Sequence, residues 1–363
     1  MSIVKTQHRA THVVIDTAAY QHNLRVVKDL LPGARIMAII KADGYGHGME
    51  LAADALQQAD EFGVTCQDDA ERLRAHGINK PLTLLSSRFT HDELSSFGAK
   101  RWRPVVYDLA QLDAFEQLPV SAALDIWLKI DTGMGRLGFS LAEAPEVLDR
   151  LRVNPGVQSI SLMTHLANAD CVDHPGNHYQ FDRFDRFRAK HTFAQHSILN
   201  SAGCVGFPGQ ALDIVRPGLI LYGVSPQSGE YASALPLKPV MTFKSALLSV
   251  RQVSAGTPIG YGSTYAVEQD TRIGIVAAGY GDGYPRHAPS GTPVFVNGTL
   301  VPLIGRVSMD LITIDLGQVE ASVGDEVVLW GAENPVEIVA QNAETIAYEL
   351  TCGITPRVER III

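Results

Sequence analysis

Basic charge is in short supply in this chain. Its 363 residues hold 30 Lys and Arg against 39 Asp and Glu, a formal net charge of −9. A protein that neutralises a phosphate backbone needs the opposite balance, so no nucleic-acid partner is expected. Cysteine is scarce as well. The four are Cys66, Cys171, Cys204 and Cys352, none at C-x-x-C spacing, which speaks against a zinc site, a redox dithiol or a disulfide framework. No run of about 18 apolar residues occurs, so no membrane span is expected. The start, Met1-Ser2-Ile3-Val4-Lys5, does not read as a secretory signal. Low-complexity tracts are missing too. The default is therefore a cytoplasmic globular protein acting on a small molecule.

What is present fits that default. The chain is 46% hydrophobic and 19% charged, enough for a full core. Its length exceeds what one compact core usually serves, so two domains are expected. The most informative segment is Lys41-Ala42-Asp43-Gly44-Tyr45-Gly46-His47-Gly48, which follows the apolar run Ile36-Met37-Ala38-Ile39-Ile40. A lysine ending a buried strand has its amine held beside apolar wall, where desolvation lowers its pKa. Such a lysine suits Schiff-base formation or proton transfer at neutral pH. The plainer reading is a strand-terminal lysine in water, and for the tripeptide alone it is the stronger one.

From residue 35 to about 225 one theme repeats: a short β-rich run, then an amphipathic stretch. The runs are Arg35–Lys41, Glu61–Thr65, Pro81–Ser86, Arg103–Asp108, Leu124–Asp131, Val157–Ala167, His196–Ser201 and Asp213–Leu219. Helix-like segments include His47–Ala59, Gln67–His76, Leu141–Arg152 and Tyr179–Phe193. Eight such alternations predict an α/β fold, a (β/α)8 TIM-like barrel, with an open doubly wound sheet as its competitor. His12–Asp16 reads as a further strand outside the eight. From about residue 236 helical periodicity fades, and β-branched runs recur between Gly and Pro turns: Ala246–Val253, Ile273–Ala277, Pro293–Val296, Leu311–Asp315 and Glu326–Trp330. This predicts a mostly β domain over 236–363, joined to a barrel over 1–235 at Leu235-Pro236-Leu237-Lys238-Pro239. Residues 1–16 are candidates to pair with it. Its last helix is expected at Asn342–Leu350.

Barrels of this kind carry their sites at the C-terminal strand ends. Those ends present Lys41, Lys129 to Asp131, His165 with Asn168, Asn200-Ser201-Ala202-Gly203, and Arg216-Pro217-Gly218-Leu219. The last two strands often bind phosphate through backbone N–H groups and small residues. Each signal is weak alone. Together, a Schiff-base lysine and a phosphate site on one face indicate pyridoxal phosphate. Asp170, Asp173, His174 and His178 form a charged loop that invites a metal reading, but a solvated loop is the stronger one, and no metal is expected.

Six motifs make the pattern specific. They are the Lys41–Gly48 segment, Asp131-Thr132-Gly133-Met134-Gly135-Arg136-Leu137-Gly138, Val215–Gly223, Gly260-Tyr261-Gly262-Ser263-Thr264-Tyr265, Gly279-Tyr280-Gly281-Asp282-Gly283, and Gly305-Arg306-Val307-Ser308-Met309-Asp310. With these in order, over essentially its whole length, the chain resembles the alanine racemase family, pyridoxal-phosphate enzymes with an N-terminal barrel and a C-terminal β domain. The resemblance implies an isomerase that interconverts L- and D-alanine, as a homodimer with shared sites. It implies Lys41 as cofactor lysine and one proton carrier, with Tyr261 of a partner subunit as the other. Arg216 would face the pyridine nitrogen, with His165 against that arginine. An arginine can only donate there, which makes the ring a poorer electron sink and disfavours side reactions. Tyr45, Asn200, Ser201, Gly218 and Leu219 would serve the cofactor and its phosphate. Arg136 and a partner's Met309 would bind substrate. Lys129, as a carbamate, would hold Arg136, while Tyr280 and Asp310 would line the partner-side entrance.

Two positions depart from the family's pattern. Ser308 stands where cysteine is frequent before Met-Asp, with little consequence expected. Pro356, in Thr355-Pro356-Arg357-Val358, stands where a tyrosine often bonds the phosphate. Proline has no hydroxyl, so that contact is expected to be lost or taken by water, and the entrance to widen. Wider substrate scope, serine or basic amino acids, is the alternative reading. A non-catalytic pyridoxal-phosphate carrier is a lesser one, disfavoured by the presence of the β domain.

Overall fold

The computed structural model describes residues 9–115, 118–227 and 235–363, so Met1–Lys5 lies outside the described residues. The first strand, β1 (His12–Ile15), leads into a helix over Thr17–Leu30. That helix starts where Asp16 accepts the Ala18 and Ala19 N–H groups, satisfying orphan donors of the first turn. It buries Ala19, Tyr20, Asn23, Leu24 and Val27, a stripe at helical spacing.

Eight parallel strands follow: β2 (Arg35–Ile39), β3 (Glu61–Val64), β4 (Leu82–Leu84), β5 (Trp102–Val106), β6 (Leu124–Lys129), β7 (Val157–Met163), β8 (His196–Ser197) and β9 (Ile214–Val215). They pair in chain order from β2 to β8, and β9 returns to pair with β2. The remaining gap is bridged by the single pair Asn200–Arg216. The barrel is thus closed, not an open doubly wound sheet. These strands are apolar runs because helices cover the outside and side chains fill the inside; β3 and β4 are buried at every position.

The observed strands start where the sequence places them, within a residue, but end earlier. Beyond the strands, Ile40, Ile130, Thr164 and Leu199 still make single backbone hydrogen bonds to neighbouring strands, and Lys41, Thr164, His165, Asn200 and Ser201 reach the site. The helices over Met49–Ala55, Gln67–Ala75, Ala144–Arg152 and Gly176–Arg188 lie near the expected positions. Asp68 and Asp69 occupy the first turn of the second of these, at the positive end of its dipole.

The second half is mostly β: β10 (Met241–Val253), β11 (Pro258–Ile259), β12 (Tyr265–Ala266), β13 (Thr271–Val276), β14 (Pro293–Val296), β15 (Thr299–Ile304), β16 (Ile312–Asp315), β17 (Glu326–Trp330) and β18 (Glu359–Ile362). The sheet order is β13-β16-β15-β14-β17-β10-β1-β18, with β10 also pairing β13. The thirteen-residue β10 therefore closes a ring through β13 and β17 and carries β1 and β18 beyond it. β1 does join this sheet, antiparallel to β10 and parallel to β18. The expected helix Asn342–Leu350 is corrected: Val336–Asn342 and Ala347–Cys352 are separate helices. Glu344 between them has φ of 52°, which no continuous right-handed helix accepts.

Asn23 links the two halves from full burial. Its amide donates to Leu221 O (3.2 Å) and Lys238 O (2.9 Å) and accepts from Lys238 N (2.9 Å). Asn23→Leu would strand three backbone groups without partners. At about 1–3 kcal/mol for each buried unsatisfied group, a loss of about 3 kcal/mol or more is expected from the denaturant midpoint. Asp16→Ala should cost only ~1 kcal/mol on the same scale.

Candidate active site

The barrel's C-terminal face opens on a cavity of about 560 Å3. Its wall contains Lys41, Tyr45, Lys129, Arg136, His165, Asn200, Ser201, Arg216 and Gly218, so nine of the residues singled out in the sequence meet there. The wall contains lysines, arginines and a histidine but no aspartate or glutamate. A concave site with that inventory is built for anionic ligands.

Lys41 enters the cavity from an unusual turn. Ala42, Asp43, Gly44 and Tyr45 have φ of 53°, 52°, 61° and 50°. This is one turn of left-handed helix, with Gly44 N bonded to Ile40 O and Gly46 N to Ala42 O, both at 3.0 Å. Three of the four residues carry a Cβ, at a cost of about 1–2 kcal/mol each. Asp43 offsets part of this by accepting from Met49 N and pairing with Arg72. The turn sends Lys41 inward and buries Tyr45 beside Gly218, where an added Cβ would lie 2.5 Å from the Tyr45 hydroxyl. Only glycine permits that approach. Gly218 N donates to Ser201 Oγ at 2.7 Å.

The cations shape one another. Burial, and after it the Arg136 charge, holds the Lys41 amine below its ordinary value. Burial first, then Arg216, Arg136 and Lys41, bring Lys129 down to about 8. Arg216 is almost fully buried and directs its guanidinium at Thr164 O, Ser197 Oγ and Ile198 O. Burial lowers it to about 10, which still leaves it charged at neutral pH. His165 is pushed well below 6.5 by burial, then by Arg216, Lys129 and Arg136. Arg216 bonds the carbonyl of the residue before His165, while the ring feels its charge. Asp131 shapes the backbone nearby. Its carboxylate accepts from Gly133, Met134 and Gly135 N at 2.8–2.9 Å and folds the loop that carries Arg136.

Leu219 lies just outside this wall, buried beside a second cleft that shares His165, Asn200, Ile346 and Tyr348 with the first. Tyr261, Tyr280, Met309 and Asp310 do not line the cavity. Tyr261 is 68% exposed, Met309 53% and Tyr280 39% on the β half of the same chain. Their loops are nonetheless tightly held. Buried Asp282 pairs with Arg9 (2.8 Å) and Arg357 (2.9 Å), and Asp310 pairs with the same two arginines at 2.9 Å. Those arginines hold the Asp310 carboxyl below its usual value. Met309 O accepts from Gly281 N and Arg357.

Some wall residues carried no sequence signal. Tyr348 and Ile346 come from the far end of the chain, and Leu85, Ser86, Met163 and Thr164 from strand ends. Gln180 fixes His165 from behind, donating to His165 O and Thr132 Oγ1 and accepting from Ala167 N. Pro356 is exposed and outside the wall. A tyrosine from the C-terminal half does line the cavity, but it is Tyr348.

Burial, and after it the surrounding cations, make His165 a neutral ring. The unfolded chain takes up a proton near 6.5 and the folded chain does not, so this residue subtracts stability as pH falls below about 6.5 and leaves it unchanged above. By NMR the ring resonances of His165 should show no titration step around pH 6.5, where an ordinary imidazole takes up its proton. In Arg216→Met, which removes the second-largest cause, the ring should begin to titrate at higher pH than in the parent.

Comparison with known proteins gives one answer throughout. The family profile "Alanine racemase, N-terminal domain" matches residues 15–226, and "Alanine racemase, C-terminal domain" matches residues 240–362. An alanine racemase of Coxiella burnetii is 45% identical over 361 residues, 98% of this chain and 99% of that one. One from Aeromonas hydrophila is 44% identical over 352 residues, 96% and 98% of the two chains. The biosynthetic alanine racemase of Pseudomonas aeruginosa superposes with a TM-score of 0.94 at 39% identity, covering 98% of this chain and 99% of that one.

Proposed function

Because the chain belongs to the alanine racemase family of isomerases, we propose that it racemises alanine with pyridoxal phosphate by a two-base mechanism. The carrying observation is the acid-free cationic wall around Lys41. It suits a phosphate and a substrate carboxylate together.

The residues present fit the cofactor. Lys41, with its lowered amine pKa, would attach it. Tyr45, Ser201, Gly218 and Leu219 would take the phosphate, with the close approach at Gly218 supplying the cradle. Asn200 and His165 would flank it. Arg216 would donate to its ring nitrogen, since buried arginine keeps its proton. When bound, the cofactor makes the substrate Cα–H acidic by delocalising the charge left behind. All else falls to side chains. Lys41 moves a proton on one face of Cα. Tyr261 of a partner subunit moves it on the other. The strong exposure of Tyr261 and Met309 supports a homodimer in which each β half completes its neighbour's site. Arg136 would hold the substrate carboxylate, backed by Lys129. A Lys129 near 8 has enough neutral amine to take up carbon dioxide, forming an N–C bond and releasing a proton. The carbamate would then pair with Arg136. Tyr280 and Asp310 would form the entrance rim.

In this reading residues 1–235 carry the cofactor and 236–363 serve both chemistry and assembly. Among the described residues no helix is long and apolar enough to cross a membrane. A cytoplasmic role supplying D-alanine for peptidoglycan, or consuming alanine, follows from the proposed reaction.

Borohydride reduction should fix the cofactor on Lys41, and recovery of an unmodified Lys41 peptide would overturn the assignment. Tyr261→Phe should slow racemisation of one enantiomer at least tenfold more than the solvent-exchange half-reaction on the other face. Equal small losses in both would rule out two bases. Labelled bicarbonate should give a carbamate NMR signal that Lys129→Met abolishes.

A further inference from the structure

We propose that Arg360, assisted by Tyr348, is a positioning residue for Lys41: the C-terminal segment of each chain clamps the left-handed turn that carries that chain's own lysine. The functional part rests on Lys41 being the cofactor lysine. The clamp itself rests on geometry alone.

The turn needs an external hold. Ala42, Asp43 and Tyr45 sit in a region that L-residues leave when nothing prevents it. Three contacts from residues 348–360 oppose that relaxation. First, Gly46 lies against the Thr351 carbonyl so closely that a Cβ would sit 2.0 Å from its oxygen. Second, Arg360 reaches across from β18 and donates twice to Gly46 O, from Nε at 3.3 Å and a terminal nitrogen at 3.1 Å. A guanidinium fixes the direction of a carbonyl better than a single donor does. Third, Tyr348 sets its ring edge-on to Tyr45, centroids 5.5 Å apart, while Tyr222 meets Tyr45 from another side at 4.8 Å. Tyr222 in turn donates to Ile39 O, at the end of the strand that launches the turn.

These contacts have one property in common. They act on Tyr45 and Gly46 rather than on Lys41, and so fix the turn whose course sets the lysine's direction. Arg360 is itself held in register, paired with Val13 between β1 and β18. The β half of the chain therefore acts on its own barrel through residues distinct from Tyr261 and Met309.

The test uses hydrogen exchange of the cofactor-free protein, followed at the Gly44 and Gly46 amides, together with pyridoxal-phosphate affinity. Arg360→Met keeps the stem and removes the donors. It should speed exchange at both amides about tenfold while β2–β7 amides stay unchanged. It should also weaken cofactor binding about fivefold or more and lower kcat for alanine more than it raises KM. Arg360→Lys should recover most of each effect. Unchanged exchange at Gly44 and Gly46, or an equal acceleration through the whole barrel, would overturn the clamp. Should Arg360→Met not fold, Tyr348→Leu is read by the same amides with the same outcomes. If the parent protein binds no cofactor at Lys41, the functional reading falls, while the exchange data still decide whether the clamp exists.

Discussion

The site depends on one backbone constraint, the left-handed turn after β2. A strand that simply continued would carry Lys41 past the barrel mouth. Reversing the hand of the next four residues turns the chain sharply, keeps the lysine at the cavity wall and buries Tyr45 against Gly218. Strain of this kind persists only where the surroundings over-determine it. Here the surroundings are the Asp43 interactions on one side and residues 348–360 on the other. Local cost and long-range packing are thus tied: the turn is tolerated only because distant parts of the chain meet it.

Electrostatics adds a second tension. Gathering Lys41, Lys129, Arg136 and Arg216 around one cavity with no carboxylate in its wall opposes folding through mutual repulsion and burial. The fold tolerates it by giving Arg216 carbonyl and hydroxyl acceptors, by keeping His165 neutral, and by lowering the lysines. The same arrangement makes the cavity attractive to anions. An anion bound among these cations relieves their repulsion and so stabilises the folded chain.

Much of this was legible in the residues. The eight barrel strands announce themselves as apolar runs, since a parallel strand covered on both faces has no polar alternation to confuse it. Their ends were less legible, because the extended chain runs on past the last paired residue and only the partner strand shows where the ladder stops. Motif residues around Lys41, Arg136 and Arg216 were readable one by one, but not the handedness of the turn, since Ala42 and Tyr45 give no signal of positive φ and Asp43 gives only a weak one. Tyr348 stayed hidden because its partner Tyr45 lies some three hundred positions away, and long-range contacts leave no local pattern. The strand β15 contains Pro302, which argues against a strand unless the neighbouring pairing is known. Gln180 looked like any polar helix residue; only its three hydrogen bonds reveal that it braces the segment around His165.

The pairing of β1 with β18 sets the order of events during synthesis. All eight barrel strands have been synthesised once Val215 is made, and domains near the N-terminus fold first as the chain emerges. Yet Ile15 O and Thr17 N find their partner only at Ile363, and Gly46 O meets Arg360 only when β18 has arrived. Until β18 is made, β1 therefore has β10 alone as a sheet neighbour, and the lysine turn lacks its Arg360 contact. The vectorial delivery of the chain thus separates the making of the Lys41 turn from the arrival of the distant residues that pack on it.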